Sequence, residues 1–344
     1  MAQRVRIPHR GQGPSSARQL PILAALHARS PTLFPCIIHY LGSKVNSNFY
    51  FWVSFRGVRS SNLGDLLIMM KYLPKIMRKL LIFVRYCFII NLNLVRRDDC
   101  VGELIAILSG KGGTGKTSVC AGVAEALALS GEKVLCVDCD VGLRNLDIAL
   151  ALSQIGSLSF LEVCRGEYPL DMAARHPVYP NLFFLTAPMN CPTEEIDTEA
   201  FGAMLDNARR QFSFVLLDAP AGIEAGFRLA ARFADRIVLV TGPDPAAVRD
   251  AARAAEVLEL MGKQNIRLVV NRISKKMAGA MNLTVDDIMD EAGVPLLGLV
   301  PEDSNVVLSA AFQQPLLGYT KRGAAAACRR IAKRLQGLKV PVRI

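Results

Sequence analysis

The chain has 344 residues, of which 51% are hydrophobic and 21% charged; this composition excludes a disordered or collagen-like polymer and allows a substantial core. Its formal net charge of +11 suggests an anionic partner such as nucleic acid or a membrane surface. The charge is unevenly distributed, because residues 1–100 contain 15 Lys or Arg against three Asp, whereas residues 101–344 contain 26 basic and 27 acidic side chains. We therefore do not expect the larger part of the chain to bind nucleic acid.

Residues 1–100 contain no Glu, and no helical or strand period persists in them for more than a few residues. Residues 1–100 have three possible interpretations: a membrane or nucleic-acid anchor, a small additional domain, or translated upstream sequence that is not part of the native protein. We favour the third, because a GTG codon encodes Val101 internally but Met when it initiates, and a strand-like run follows directly. The chain is accordingly divided into a basic extension, residues 1–100, and a domain, residues 101–344.

The most hydrophobic stretch of the extension is Leu80–Val95, 16 residues with Arg85 near the middle. A helix that spans a bilayer needs about 20 largely uncharged residues, so this stretch does not predict a membrane span. An interfacial helix is the alternative, because basic residues precede it at Lys71, Lys75, Arg78 and Lys79.

After residue 101, apolar runs alternate with Ala- and Leu-rich amphipathic stretches. The runs predict strands at residues 103–108, 133–138, 181–186, 214–218, 235–240, 265–270 and 296–300. The amphipathic stretches predict helices at Thr117–Ser130, Glu194–Gln211, Ala246–Met261, Val285–Ala292 and Ala324–Leu335. Asp244, Pro245 and Gly262 have the types expected at the N-cap, first turn and C-terminus of the third helix. This alternation predicts an α/β fold with a doubly wound, mostly parallel sheet, which binds its ligand at the carboxyl ends of the strands.

The first predicted strand leads into the segment SGKGGTGKT, residues 109–117, and then into the first helix. This is the P-loop pattern in its required context, in which glycines let backbone N–H groups surround phosphates at a helix N-terminus. Lys116 then pairs with β- and γ-phosphate oxygens, and the Thr117 hydroxyl ligates Mg²⁺. A simple glycine-rich turn would require neither side chain. The predicted nucleotide-binding residues of this segment are Gly110, Lys111, Gly112, Gly113, Thr114, Gly115, Lys116, Thr117 and Ser118.

Three carboxylates follow predicted strands and are expected near the phosphates. Asp218 ends the strand at 214–218, where a carboxylate can hold magnesium; the alternative is a helix N-cap, because Pro220 and Gly222 follow. Asp138 and Asp140 close the strand at 133–138, and both are expected to face the γ-phosphate edge. Asp138 is interpreted as a supporting or switching residue.

Nine cysteines are too sparse for a disulfide scaffold, and their odd number leaves at least one unpaired, which indicates a reducing cytosol. Cys136 and Cys139 have the spacing of a redox pair. They lie in a predicted strand, however, where residues three apart point to opposite faces, so we interpret them as two buried core residues.

Lys111, a second lysine at the head of the P-loop, is typical of the deviant Walker A subclass. With the segments VDCDVGLRNLD at 137–147, FVLLDAPAGIE at 214–224 and VTGPDPAAVRD at 240–250, the chain resembles the MinD/ParA family of ATPases. The segments VVNR at 269–272 and GLVPED at 298–303 resemble the base-binding strands of that family. The resemblance extends over about residues 102–340.

The resemblance implies an ATP-hydrolysing homodimer, switched by nucleotide and magnesium, that acts in placement of the cell-division septum. It assigns catalysis to Lys111, Lys116 and Asp140: Lys111 reaches the nucleotide of the partner subunit, and Asp140 orients the attacking water. It assigns adenine contacts to Asn271 and to the loop of Pro301, Glu302 and Asp303; for Asn271, a plain turn residue is the alternative.

The resemblance also implies two protein partners, a septation inhibitor and an activator, and a place in the cytoplasm or on the inner face of the cell membrane. In the family, a linker and an amphipathic helix at the carboxyl end insert into the membrane surface. Here only nine residues follow Leu335, Pro341 among them, too few for such a helix, so we expect no membrane recruitment from that end. The basic residues of the last helix, Arg329, Arg330, Lys333 and Arg334, are interpreted as a solvated face.

Three rival functions follow from the same motifs. A ParA-like partitioning or polar-positioning ATPase would hold DNA through a basic surface, which the net charge of −1 over residues 101–344 does not favour. An iron–sulfur carrier ATPase would need paired cysteines at a dimer interface or near the carboxyl end, where Cys328 is solitary. A scaffold that binds ATP without turnover would have no need of the full set of catalytic side chains.

Overall fold

The structure, a computed structural model, describes residues 101–343 except 190 and 275–283, together with Lys44–Val45 and Asn48–Phe49. Contacts divide the chain into two units, Met1–Leu94 and Val95–Ile344. In the first unit, the four described residues form a short antiparallel pair. The hydrophobic stretch Leu80–Val95 lies outside the described residues.

The second unit is built on an eight-stranded sheet. Its strands are β1 (Glu103–Leu108), β2 (Val134–Asp138), β3 (Ala174–Arg175), β4 (Leu182–Leu185), β5 (Phe214–Asp218), β6 (Arg236–Thr241), β7 (Ile266–Ile273) and β8 (Leu296–Pro301). Their order is β8-β7-β6-β1-β5-β2-β4-β3, and every pairing is parallel except that of β3 with β4. The seven predicted strands are therefore present and parallel, and the two-residue edge strand β3 is the addition.

Helices cover both faces of this sheet. Those of the second unit that the structure describes are α1 (Lys116–Leu129), α2 (Leu146–Ala149), α3 (Phe160–Cys164), α4 (Thr198–Gln211), α5 (Ala225–Phe233), α6 (Pro245–Leu260), α7 (Val285–Ala292), α8 (Asn305–Ala311), α9 (Leu316–Tyr319) and α10 (Gly323–Leu335). One core layer includes α4, α5, α6 and α7, and the other includes α1, α9 and α10. The predicted doubly wound α/β fold is confirmed.

Capping residues set the helix ends. The start of α6 is as predicted: Asp244 accepts a hydrogen bond from the Ala247 N–H, and Pro245 is the first helical residue. The predicted start of α4 at residue 194 is wrong. Asp197 accepts hydrogen bonds from the N–H groups of Glu199 and Ala200, so the helix begins at Thr198, and a separate 3₁₀ turn precedes it.

Cys136 and Cys139 are both buried and free, and they belong to different core layers on opposite faces of the sheet. Their interpretation as core residues rather than a redox pair is thus confirmed.

Three of the four basic residues of α10 differ from the predicted solvated face, whereas Lys333 is exposed as predicted. Arg334 donates hydrogen bonds to the carbonyl oxygens of Leu297, Val340 and Pro341, and Arg330 donates to that of Arg343. Half-buried guanidinium groups therefore hold the segment after the helix by satisfying main-chain acceptors, a use that a charge count along the sequence does not reveal.

His176 directly follows β3, the edge strand of the sheet. Its Nδ1 accepts hydrogen bonds from the N–H groups of Val178 and Tyr179, and its Nε2 lies 2.9 Å from the carbonyl oxygen of Leu150. Two donors at Nδ1 require that nitrogen to be unprotonated, so the ring is neutral with its proton on Nε2. Burial lowers the pKa of His176, against the opposing effect of the Leu150 carbonyl.

We predict that His176→Ala lowers the free energy of unfolding by about 1–3 kcal/mol at pH 8, because three main-chain groups lose their partner and two of them, at Leu150 and Tyr179, are buried. The contribution of the neutral ring is complete above the unfolded pKa of 6.5 and is lost as the pH falls through the lowered folded pKa. Urea unfolding of both proteins between pH 5 and pH 8 tests this: the difference between them should shrink toward acid pH. A difference that is constant over this range would contradict the assignment.

Candidate nucleotide-binding site

The P-loop joins the carboxyl end of β1, at the centre of the sheet, to the N-terminus of α1. Gly115, the N-cap of α1, has a φ of 82°, and a Cβ built on it would lie 2.3 Å from Nδ2 of Asn271. Only glycine therefore meets both the backbone and the steric requirement at this position. The N-cap Gly115 has no side chain with which to cap α1, so it leaves the N–H groups of the first turn available to a ligand.

Below the loop, Lys116 and Asp218 form a buried ion pair. Lys116 Nζ lies 2.8 Å from Asp218 Oδ1 and 3.3 Å from the Thr117 hydroxyl, and Thr117 in turn hydrogen-bonds to Asp218. Burial lowers the pKa of Lys116, but the charge of Asp218 and its hydrogen bond outweigh burial and raise this pKa above its ordinary value. The predicted phosphate-binding lysine and the two predicted magnesium ligands thus lie together, and Asp218 is not a helix N-cap.

Asp138 and Asp140 take different positions at the end of β2. Asp138 is buried, and its carboxylate accepts hydrogen bonds from the N–H groups of Asp140 and Leu146, so it holds the loop after β2 in place. Burial, reinforced by the charge of Asp218, raises the pKa of Asp138 to about 7. Asp140 is only half-buried, and its charge acts on Lys116. Asp140 is therefore the more accessible of the two carboxylates, and its catalytic role remains a prediction.

Lys111 stands apart from this buried cluster. Its side chain is 43% exposed, and its ammonium lies 3.5 Å from Oδ1 of Asp244, the N-cap of α6. Asp244 was predicted only as a helix cap, so the sequence missed this second contact. An ion pair between two exposed side chains contributes at most about 1 kcal/mol, and Lys111 is free to exchange it for another partner.

The residues that resemble a base-binding site line one pocket beside the P-loop. Asn271, Pro301, Glu302 and Asp303 border it together with Gly115 and Ser118. Asn271 Nδ2 donates a 2.8 Å hydrogen bond to the Thr114 carbonyl oxygen, so the strand β7 holds the P-loop from this side. Asn271 is therefore neither a turn residue nor at the strand end, because β7 continues to Ile273.

Asp303 positions the far wall of this pocket. Its Oδ2 accepts a hydrogen bond from the Ala324 N–H at the start of α10, and its Oδ1 accepts from the main chain and side chain of Asn305. Arg272, with a φ of 58°, also borders the pocket, although sequence reasoning did not select it. Contact of these residues with adenine remains a prediction.

A triphosphate and its magnesium fit the residues present. Thr114 Oγ1 is buried and has no hydrogen-bond partner among the described residues. Such a group is costly unless a ligand completes it. Thr117 and Asp218 supply the hydroxyl and carboxylate oxygens that magnesium prefers.

The site combines a glycine-bearing loop between strand and helix, a buried lysine, and a hydroxyl–carboxylate pair, all on a doubly wound sheet. These features define a P-loop nucleotide-binding protein. Residues 105–316 match the model of the CobQ/CobB/MinD/ParA nucleotide binding domain. The septum site-determining protein MinD of Synechocystis sp. is 37% identical over 244 residues, which cover 70% of this chain and 92% of that protein. The chain belongs to this family, within the MinD group of septum site-determining proteins.

Solved structures agree with this assignment. The MinC:MinD cell division protein complex of Aquifex aeolicus matches with a TM-score of 0.66 and 34% identity, over 71% of this chain and 99% of that chain. MinD of Pyrococcus horikoshii, complexed with Mg-ADP, matches with a TM-score of 0.60 and 26% identity, over 68% of this chain and 96% of that chain. The P-loop fold is therefore shared with proteins of cell division.

No helix in the described part of the chain is both long and apolar enough to cross a bilayer.

We predict that Lys116→Met lowers the free energy of unfolding by about 3–5 kcal/mol without nucleotide, because it leaves the Asp218 carboxylate buried and uncompensated. Adding Asp218→Asn should restore a large part of this loss, since a neutral amide needs no counter-charge. Urea unfolding of the single and double variants measures both effects. If the double variant is as unstable as Lys116→Met, the pair does not behave as a coupled buried charge pair.

Proposed function

We propose that this septum site-determining protein binds and hydrolyses ATP and works as a homodimer that ATP assembles. The observation that carries the proposal is the buried cluster of Lys116, Thr117 and Asp218 under the P-loop, with the exposed Lys111 at the head of the same loop. The cluster would bind one nucleotide in each subunit. The exposed ammonium of Lys111 could contact the nucleotide of the partner subunit.

In the proposed complex, the first-turn N–H groups of α1 and the Thr114 hydroxyl donate to phosphate oxygens, and Lys116 turns from Asp218 toward the β- and γ-phosphates. Thr117 and Asp218 would hold magnesium, which when bound neutralises phosphate charge and leaves Asp218 with a cationic partner. Asn271 and the loop of Pro301–Asp303 border the base, a role that their shared pocket supports.

Hydrolysis is assigned to Asp140 and Lys111. Asp140 is half-buried and its charge acts on Lys116, and a carboxylate so placed can orient an attacking water in line with the leaving group. Lys111 leaves its weak contact with Asp244 and neutralises charge that develops on the nucleotide of the partner subunit. Exposed apolar side chains on the loop and helix after β2, Leu143 at 70% and Ile148 at 46%, support a subunit interface on this face.

We predict three separable phenotypes. Lys116→Ala should abolish ATP binding. Lys111→Ala should still bind ATP as a monomer but should lose ATP-dependent dimerisation and turnover. Asp140→Asn should still form the ATP-bound dimer, but its turnover should fall by about 100-fold or more. Equilibrium binding of ATP, light scattering with and without ATP, and phosphate release measure the three steps.

Lys333→Ala, which removes an exposed lysine from α10, is the matched control and should behave as the wild-type protein. Unchanged turnover in Lys111→Ala would contradict the action of Lys111 across the interface. A wild-type protein that binds ATP and dimerises but never hydrolyses it would leave a nucleotide-switched scaffold instead of an enzyme.

We further propose that the protein acts in the cytoplasm, at or near the inner face of the membrane, with a septation inhibitor and an activating protein as partners. The Aquifex aeolicus MinC:MinD complex supports the inhibitor. Co-sedimentation with anionic liposomes, with and without ATP, tests a membrane surface, and salt-dependent DNA retention tests the ParA-like alternative. ATP-dependent DNA retention that falls steeply with salt, without liposome binding, would favour the alternative.

A further inference from the structure

Glu125 is a fully buried carboxylate in the helix that carries the P-loop. It lies in α1, about two and a half turns after Lys116, and its side chain is not accessible to solvent. Its Oε1 and Oε2 accept hydrogen bonds of 3.2 Å and 2.8 Å from the main-chain N–H groups of Leu316 and Leu317, which begin α9. The carboxylate therefore connects two segments that are separated by more than 190 residues of sequence.

The segment that Glu125 holds is part of the wall of the nucleotide pocket. Leu316 borders this pocket together with Ser118 and Val119 of α1 and with Ala324 and Cys328 of α10. The same α1 therefore supplies both the phosphate-binding turn and the carboxylate that fixes Leu316. Any movement of Leu316 away from α1 would widen the pocket without altering the P-loop itself.

A second charged side chain holds the segment from α10. Arg329 Nη2 donates a 3.2 Å hydrogen bond to the Leu317 carbonyl oxygen, and its Nη1 donates to that of Lys321. Glu125 thus satisfies N–H groups of α9, and Arg329 satisfies one carbonyl oxygen within α9 and one after it. The short helix α9 has four residues, too few to be stable alone, so its position depends on these external partners.

Burying a carboxylate between two helices costs more free energy than burying an apolar side chain of similar size. Desolvation opposes the charged form, and a helix rich in Ala and Leu could bury an apolar side chain here instead. What the carboxylate adds is directional attachment of two N–H groups at one point, which fixes the backbone of Leu316 and not merely its side chain. That property matters at the wall of a binding pocket.

We propose that Glu125 is a positioning residue that sets the base side of the nucleotide pocket by anchoring Leu316 and Leu317 to the P-loop helix. This inference rests on the proposed function, because it takes the pocket beside the P-loop as the site of the base. It assigns Glu125 to affinity for the nucleoside and not to the phosphates or to hydrolysis.

The anchor should depend on pH. Burial raises the pKa of Glu125 to about 7, against the opposing effects of the Leu317 and Leu316 N–H groups and Arg329. The other groups that face it are Cys328 of α10, whose pKa burial raises to about 12, and Tyr179 before β4, whose pKa burial also raises, so both stay neutral near pH 7. Protonation of Glu125 weakens one of its two acceptors; the anchor is therefore strongest above pH 7.

The decisive experiment compares the binding of ATP with that of inorganic tripolyphosphate to the full chain and to Glu125→Gln. The amide keeps the size of the side chain but has one acceptor for two N–H groups. The dissociation constant for ATP should rise by about threefold to tenfold, whereas that for tripolyphosphate should not change, because only ATP reaches the Leu316 wall. The ratio of the two proteins' ATP dissociation constants should be larger at pH 8 than at pH 6.

Glu256→Gln, the same change at an exposed position of α6, is the matched control and should leave both dissociation constants unchanged. Equal weakening of ATP and tripolyphosphate by Glu125→Gln would overturn the inference, since that pattern indicates a general disturbance of α1. Unchanged binding of both ligands would overturn it as well.

Glu125→Asp is the second variant, for use if Glu125→Gln does not fold as judged by circular dichroism. It keeps the charge but is one methylene shorter, so it should also weaken ATP selectively. The two proposals fail in different ways: a wild-type protein that binds no ATP contradicts the proposed function, whereas wild-type binding with no selective loss in either variant contradicts only the role of Glu125.

Discussion

A buried ion pair at the centre of the sheet organises this molecule. Lys116 is the first residue of the P-loop helix, Asp218 is the last residue of β5, and their charged atoms are 2.8 Å apart at positions almost closed to solvent. Removing either partner leaves an unpaired charge in a medium of low polarity. The ion pair therefore holds the start of the P-loop helix against the end of β5. The same pair places a lysine and a carboxylate where the proposed nucleotide and its magnesium would bind.

Around this pair, polar side chains from distant parts of the chain hold the surrounding loops. Asn271 from β7 donates to the carbonyl oxygen of Thr114, Asp138 from β2 accepts from the loop that follows it, and Glu125 from α1 fixes the start of α9. Each is buried and each satisfies main-chain groups, so the pocket is shaped by hydrogen bonds to backbone and not by loop sequence alone. Lys111 is the exception, because its side chain is exposed and its described contact is a 3.5 Å ion pair with Asp244.

Much of the fold was predictable because it depends on local pattern. Apolar runs and amphipathic stretches gave the seven parallel strands, and Asp244 and Pro245 gave the start of α6. The helices α2, α3, α5, α8 and α9 were not predicted. Four of them have only four to seven residues, which carry too little periodicity, and α5 has nine. The N-cap Asp197 was also overlooked, which misplaced the start of α4. The guanidinium groups of α10 were misread for a similar reason: a charge pattern does not reveal which carbonyl oxygens lie nearby.

The sequence by itself determined the P-loop, its extra lysine and the alternation of strands and helices, because the spacing of neighbouring residues carries that information. Only the tertiary structure decided that Asp218 binds Lys116, 102 positions away, that Asn271 holds the loop 157 positions before it, and that Glu125 supports the wall of the pocket. These contacts depend on which strands are neighbours in the sheet and which helices share a face. Such proximity arises from packing of the whole chain, and no local pattern encodes it.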